Sequence, residues 1–411
     1  MKRPRPTPGK LSSGSAFERG SHAPRARTNL QRPAPRLSDR IRRTALRSAF
    51  VLSLLPFDGS KMKKSVLTLS LSLALGLPLS SAQTSFAASE TGTRFPAPST
   101  VSAEMAESVA APAPELWLTK EKSPESVSAF AKDYAAGAGP AALALAQEYG
   151  VRVEEGTLGG VRIYTLTPKT LAKEKADKVI FYIHGGGYIL GHGISGIGEG
   201  VLMAGLEGYK VVCVDYRMAP EHPYPAAIDD AFRAYQALLK TTPAENVAVF
   251  GTSTGGAMTL ILGVQAARAG TPMPGALIAG TPWADLTKTG DTYVTNDGVD
   301  NILGTYDKLI RTAAELYAGG ADMKDPLLSP VYAEDSAIAK FPPTLLLSGT
   351  RDLFLSNTVR MHEKLLLADR HAELIVYEAL SHAQYYLNPK APETKTHYRL
   401  LGKFLERVLD D

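Results

Sequence analysis

Cysteine is almost absent from this 411-residue chain: Cys213 is the only one. A single thiol excludes any disulfide within the chain, so the fold must stand without covalent staples. Its setting, KVVCVDYR, reads as a buried strand in which a thiol serves as a small apolar group. Long apolar runs are missing too. Val66 to Leu79 is free of charge but spans only about 14 residues, short for a membrane crossing, so no stable membrane anchor is expected. No cysteine follows that run, which excludes lipidation of the bacterial lipoprotein kind. What the chain does have is 44% hydrophobic content, enough to bury one large core or two smaller ones.

Charge is placed unevenly. Met1 to Lys61 carries 14 Lys or Arg against Glu18, Asp39 and Asp58, so this segment is strongly basic while the remainder is acidic. Residues 1–61, rich in Arg, Pro and Ser, bury too little apolar surface to offset their ordering entropy and read as disordered. A nucleic-acid arm is the functional alternative for such a basic block, but no nucleic-acid partner is expected. A third reading is that translation begins at Met62. From there, Lys63 and Lys64 precede the Leu-rich run, and Ser80, Ala82, Ser85 and Ala87 follow it, which is the layout of a signal peptide over 62–87. The competing reading is a half-buried strand, since Leu67, Leu69, Leu71, Leu73, Leu75 and Leu77 alternate with other residues. Cleavage after Ala82 or Ala87 and export to the periplasm or medium are the expectation.

Residues 88–150 read as a Pro-rich and Ala-rich linker followed by one or two helices, taken as a cap. From Val151 to Asp411, β-rich runs alternate with helical patterns. VRIYTLTP, KVIFYIH, KVVCVDYR, NVAVFG, GALIAG, TLLLSG and AELIVYE are the candidate strands. Helical faces lie between them at Ala226 to Lys240, Thr254 to Ala269 and Asn357 to Ala368. Such alternation predicts an α/β fold with a mainly parallel sheet covered on both faces. The connection from Trp283 to Ser329 is too long for a simple loop, and its helical piece around Tyr306 to Tyr317 suggests a second cap element at about 285–320.

The segment NVAVFGTSTGGAMTLIL ends a strand at Gly251-Thr252-Ser253-Thr254-Gly255 and starts a helix at once. This is G-x-S-x-G in strand, turn, helix context, where small residues let strand and helix approach while the serine hydroxyl projects. Alone, the pentapeptide also fits a mere small-residue turn. A second motif, KVIFYIHGGGY, ends a strand in His184-Gly185-Gly186-Gly187-Tyr188. Glycines there let backbone N–H groups approach a developing oxyanion. The candidates are the N–H groups of Gly186, Gly187 and Thr254, with His184 and Gly185 supporting the loop. A phosphate-binding turn is the alternative, but neither G-x-G-x-x-G spacing nor a following Lys is present.

HGGGY, then DYRMAPEHPYPAAIDD, then GTSTGG resembles the bacterial hormone-sensitive-lipase-like esterase family over roughly Glu115 to Asp411. The resemblance implies an α/β-hydrolase core with a helical cap, hydrolysis of short or medium acyl esters, and no cofactor or metal. Two positions depart from the family pattern: Thr252 stands where Asp is common and Thr254 where Ala is common. Neither change removes a catalytic atom, because the oxyanion donor at 254 is a backbone N–H whatever its side chain.

Asp352 lies just past the strand of FPPTLLLSGTRD, at the sheet's carboxyl edge and where the family's acid sits; Asp325 and Asp285 compete from the long connection. His382 follows the last strand, completing the order Ser, Asp, His. Among the other histidines His184 belongs with the glycine loop and His192 is a possible substrate contact, and for His22, His222, His362, His371 and His397 a solvated role is the default. The expected chemistry is attack by Ser253 on a small-molecule ester, with His382 as base and Asp352 orienting it. A lactone hydrolase or peptidase is the rival within enzymes, and a non-catalytic ligand-binding protein on the same scaffold is the rival outside them. Monomer and homodimer both remain open.

Overall fold

Nearly continuous runs of Val, Ile, Leu and Phe form the strands here because a parallel sheet is buried on both faces. The computed structural model describes residues 95–113 and 123–409. These belong to one compact unit, and the expectations for a basic segment and a signal peptide lie outside the described residues. Eight strands form one sheet: β1 (Val151–Leu158), β2 (Val161–Pro168), β3 (Val179–Ile183), β4 (Lys210–Val214), β5 (Val247–Thr252), β6 (Ala276–Gly280), β7 (Thr344–Gly349) and β8 (Ala372–Tyr377). Their order is β1-β2-β4-β3-β5-β6-β7-β8. β1 and β2 are antiparallel, β2 and β4 likewise, and every pair from β4 onward is parallel.

The pleat sorts side chains into two cores. Phe181, Ile183, Val212, Val249, Leu277 and Leu346 face one layer, and Ile180, Tyr182, Cys213, Phe250, Ile278 and Leu347 face the other. Helices α1 (Ala103–Ala110) and α2 (Pro124–Glu148) precede the sheet, followed by α3 (Gly198–Glu207), α4 (Ala226–Leu238), α5 (Thr254–Ala269), α6 (Arg311–Ala318), α7 (Leu355–Leu367) and α8 (Pro392–Leu409). The first layer is covered by α4 through Ile228 and Tyr235, α5 through Met258 and Ile261, and α7 through Met361 and Leu365. The second is covered by α3 through Val201 and Leu202, and α8 through Leu401 and Phe404.

The chain leaves β3 toward β4 on one side, whereas β5 pairs with β3 on the other. In open α/β sheets ligands bind where the strand order reverses in this way, at the carboxyl ends, here those of β3 and β5. Both glycine-rich motifs sit there.

The seven expected strands are present, with β1 in addition. Its sequence, VRVEEGTL, carries two adjacent glutamates and a glycine, and as the outermost strand it is only partly covered, so it lacks the signature of a buried strand. Between β6 and β7 the long connection contains a short helix (Thr292–Thr295) and a wide turn (Tyr306–Ile310) running into α6. Among the described residues, no helix is long and apolar enough to cross a membrane, and no group of three His, Cys, Asp or Glu is placed to hold a metal ion.

Candidate active site

Ser253 occupies the turn between β5 and α5 with φ 64° and ψ −122°, outside the regions an L-residue favours. Such a conformation costs on the order of 1–3 kcal/mol and persists only where the surroundings enforce it. Here the enforcement is explicit: Ser253 N–H donates to Gly280 O at 2.8 Å, and Ser253 O accepts from Trp283 N–H at 3.1 Å and Ala257 N–H at 3.0 Å. The glycines around it permit close approach. A methyl group at Gly256 would lie 2.6 Å from Gly280 O, and one at Gly251 would lie 2.5 Å from Ile183 O.

The loop after β3 runs beside this turn. A methyl group at Gly185 would lie 3.1 Å from Ser253 Cβ and 2.7 Å from Thr252 O. Gly186 and Gly187 have φ 115° and 67°, and Gly186 O accepts from the N–H groups of Ile189 and Leu190. The backbone N–H groups of Gly186, Gly187 and Thr254 meet no acceptor among the described residues. His184 braces the loop: its ring stacks on Tyr216 with centroids 4.2 Å apart, its Nδ1 lies 2.8 Å from Gly185 O, and the Tyr216 hydroxyl donates to His184 O at 2.8 Å. Burial pushes its imidazole below the usual range.

Asp352 and His382 are both buried and meet at 3.0 Å, Asp352 Oδ1 to His382 Nδ1. Asp352 Oδ2 accepts from Ser348 Oγ at 2.6 Å, and Oδ1 also accepts from Phe354 N–H at 2.9 Å. An Nδ1–H donated to the carboxylate leaves the lone pair on Nε2, the tautomer a general base requires. Among the described residues the buried Nε2 meets no hydrogen-bond partner, Ser253 Oγ included. Packing relates the two residues: Trp283, bonded to Ser253 O, stacks on Phe354 at 5.2 Å, and Phe354 meets the His382 ring edge-on at 4.9 Å.

The competing acids have other partners. Asp285 accepts from Arg360 Nη1, Tyr332 Oη and Thr287, while Asp325 accepts from Tyr224 Oη and Leu327 N–H. His397 differs from the solvated role expected of it: it is fully buried against Tyr377, and burial pushes its imidazole down to about 3.

Similarity to known proteins fits this geometry. The sequence profile of a family described as an alpha/beta hydrolase fold matches residues 180–386. The solved structure of an esterase, E25, is 39% identical, covers 77% of this chain and 97% of its own, and superposes with a TM-score of 0.73. An esterase structure from the bacterial hormone-sensitive lipase family is 26% identical over 71% of this chain and 99% of its own, with a TM-score of 0.59. An acetyl-hydrolase of Streptomyces hygroscopicus is 31% identical over 56% of this chain and 75% of its own length. The chain belongs to the bacterial hormone-sensitive-lipase-like esterase family.

Two buried acids of this hormone-sensitive-lipase-like chain escaped the sequence reading. Glu199, on α3, takes hydrogen bonds from Thr252 Oγ1 at 2.6 Å and Tyr182 Oη at 3.1 Å. Burial pushes its carboxyl up to about 8. A lone Glu in the otherwise uncharged GISGIGEGVLMAGL was the available signal. Asp300, in the connection between β6 and β7, accepts from Leu353 N–H at 2.8 Å. Nothing in its local sequence, NDGVDNIL, distinguishes it from a loop-capping aspartate.

Proposed function

We propose that the protein hydrolyses carboxylic esters with short- to medium-chain acyl groups through an acyl-Ser253 intermediate, and that it needs no cofactor. The observation that carries this reading is the strained serine turn beside a glycine loop whose Gly186 and Gly187 N–H groups meet no acceptor among the described residues, with an Asp-paired histidine packed one aromatic layer away. The esterase and acetyl-hydrolase relatives support the reaction class.

In this mechanism Ser253 Oγ adds to the ester carbonyl carbon as His382 Nε2 takes its proton. The N–H groups of Gly186, Gly187 and Thr254 receive the oxyanion, and the Asp352 carboxylate stabilises the imidazolium. Collapse breaks the ester C–O bond, and His382 returns the proton to the departing alcohol. Water then repeats the sequence on the acyl-serine, releasing the carboxylic acid and restoring the hydroxyl. Trp283 and Phe354 are buried and pack the serine turn against the His382 ring.

The test is turnover of p-nitrophenyl acetate through octanoate beside lactones and an aminoacyl anilide, together with labelling by an organophosphonate probe. Ester turnover and a single adduct on Ser253 are expected. A protein that neither turns over esters nor takes the probe defeats the proposal. Export is part of the same reading and is supported by the Met62 to Ala87 pattern; amino-terminal sequencing of secreted protein should begin after Ala82 or Ala87.

A further inference from the structure

We propose that Asp300 is a positioning residue that ties the acid-bearing and base-bearing loops together and supports positive charge on His382. The proposal rests on the acyl-serine reading above. Asp300 is fully buried. Its Oδ1 holds its own turn, accepting from Ile302 N–H at 2.9 Å and Leu303 N–H at 3.0 Å. Its Oδ2 reaches two other loops. It accepts from Leu353 N–H, the residue after Asp352, at 2.8 Å, and more weakly from the backbone N–H of His382 itself at 3.4 Å. One carboxylate oxygen therefore spans the loops after β7 and β8, and an adjacent bond from Asn301 N–H to Ser381 Oγ at 3.2 Å reinforces the second of them.

Among the described residues, no lysine or arginine pairs with this carboxylate. The groups that face it are Asp352 from the loop after β7, His382 from the loop after β8, and the backbone N–H groups of its own turn. A buried carboxylate without a cation is costly, and replacing it by an apolar residue would leave Leu353 N–H unpaired beside the acid. Burial and the neighbouring Asp352 charge push the Asp300 carboxyl up to about 6, while the imidazole draws it down. That mutual influence means that a charged Asp300 favours the imidazolium formed when Ser253 attacks. Asp300 has no surface to offer a substrate, so its contribution belongs to kcat and to the acid limb of the pH profile, with KM little affected.

Two substitutions separate bridge from turn. Asp300→Asn keeps shape but places an amide donor against N–H donors and removes the charge; Asp300→Ser keeps the turn acceptor but is too short to span to Leu353. Both are measured on the full chain for p-nitrophenyl butyrate turnover, with active sites counted by phosphonate labelling and folding followed by thermal melting. Expected for the active-site-normalised protein are a fall in kcat of about ten- to a hundredfold, KM within about threefold, and an acid limb of kcat/KM moved to lower pH by about half a unit or more. The direction follows from the sign of the charge: losing a negative group beside the site weakens proton binding there. Wild-type kcat, or a limb that stays in place, overturns the proposal. Loss of activity in Ser253→Ala and His382→Ala alongside normal Asp300 variants defeats this inference alone, whereas active Ser253→Ala defeats the reading beneath it.

Discussion

The carboxyl group of Glu199 receives a hydrogen bond from the Thr252 hydroxyl at 2.6 Å, one residue before Ser253. Thr252 stands where relatives of the motif often carry Asp, and its hydroxyl leads instead to a carboxyl on α3. Tyr182 donates to the same carboxyl and the Tyr385 hydroxyl lies 3.2 Å from Thr252 Oγ1, so the floor beneath the strained turn is a network of hydroxyls around one acid.

That network makes stability depend on pH with a definite sign. The Glu199 carboxyl is raised from 4.5 to about 8, so between those values the folded chain keeps a proton that the unfolded chain has lost. Its stabilising contribution is complete below about 4.5 and is lost as pH climbs through about 8, on the order of 1 kcal/mol per unit. Glu199→Gln does not titrate and should gain on the wild type as pH rises. Denaturant unfolding of both proteins from about pH 5 to about pH 9 reads the difference, and a difference independent of pH would show that Glu199 is not held protonated.

Replacing the residues proposed for the reaction should produce unequal losses. Ser253→Ala or His382→Ala is expected to lower kcat by on the order of 10⁶, and Asp352→Ala by on the order of 10⁴, because the carboxylate only orients and stabilises the imidazole. The double variant Ser253→Ala, His382→Ala should be no slower than either single one. Additive losses in a p-nitrophenyl ester assay would mean that the two side chains do not act as a unit.

Within the glycine loop, two neighbouring residues should respond differently to alanine. At Gly186 (φ 115°) a methyl group would overlap the carbonyl of Leu190, whereas at Gly187 (φ 67°) its nearest neighbour is Ala313 Cβ at 3.6 Å. Gly186→Ala must displace the loop and should cost on the order of 10²-fold in kcat. Gly187→Ala bears only left-handed strain, about 1–2 kcal/mol. Equal losses in the two variants would indicate that the loop tolerates movement and that its geometry does not govern the rate.

Seven strands were legible because each is a compact apolar run bounded by turn residues, and the pairing of Asp352 with His382 was legible because each follows such a strand. β1 was not, since Glu154, Glu155 and Gly156 break its pattern on a strand with one unpaired side. Glu199 and Asp300 lie beyond sequence reading for a different reason. Their partners Thr252 and His382 are 53 and 82 residues away, and no local periodicity encodes which backbone N–H or hydroxyl a buried carboxylate will meet. Asp285 shows the converse: its residue type and place in the chain made it a candidate acid, and only its contacts separate it from Asp352.

Those contacts assign Asp285 a test of its own. It is fully buried, pairs with Arg360 at 2.6 Å, and accepts from the Tyr332 hydroxyl at 2.8 Å, so it joins α7 to the connection after β6. Arg360→Ala leaves that carboxylate without its cation. Breaking a buried pair typically costs about 3–5 kcal/mol, but part of the arginine side chain reaches solvent, which places the expected loss below that range, at about 2–3 kcal/mol. Activity per folded molecule should be unchanged, since neither residue touches Ser253, Asp352 or His382. The measurement is denaturant unfolding beside ester turnover normalised to phosphonate-reactive sites. A kcat that collapses while stability holds would return Asp285 to the reaction and remove Asp352 as its sole acid.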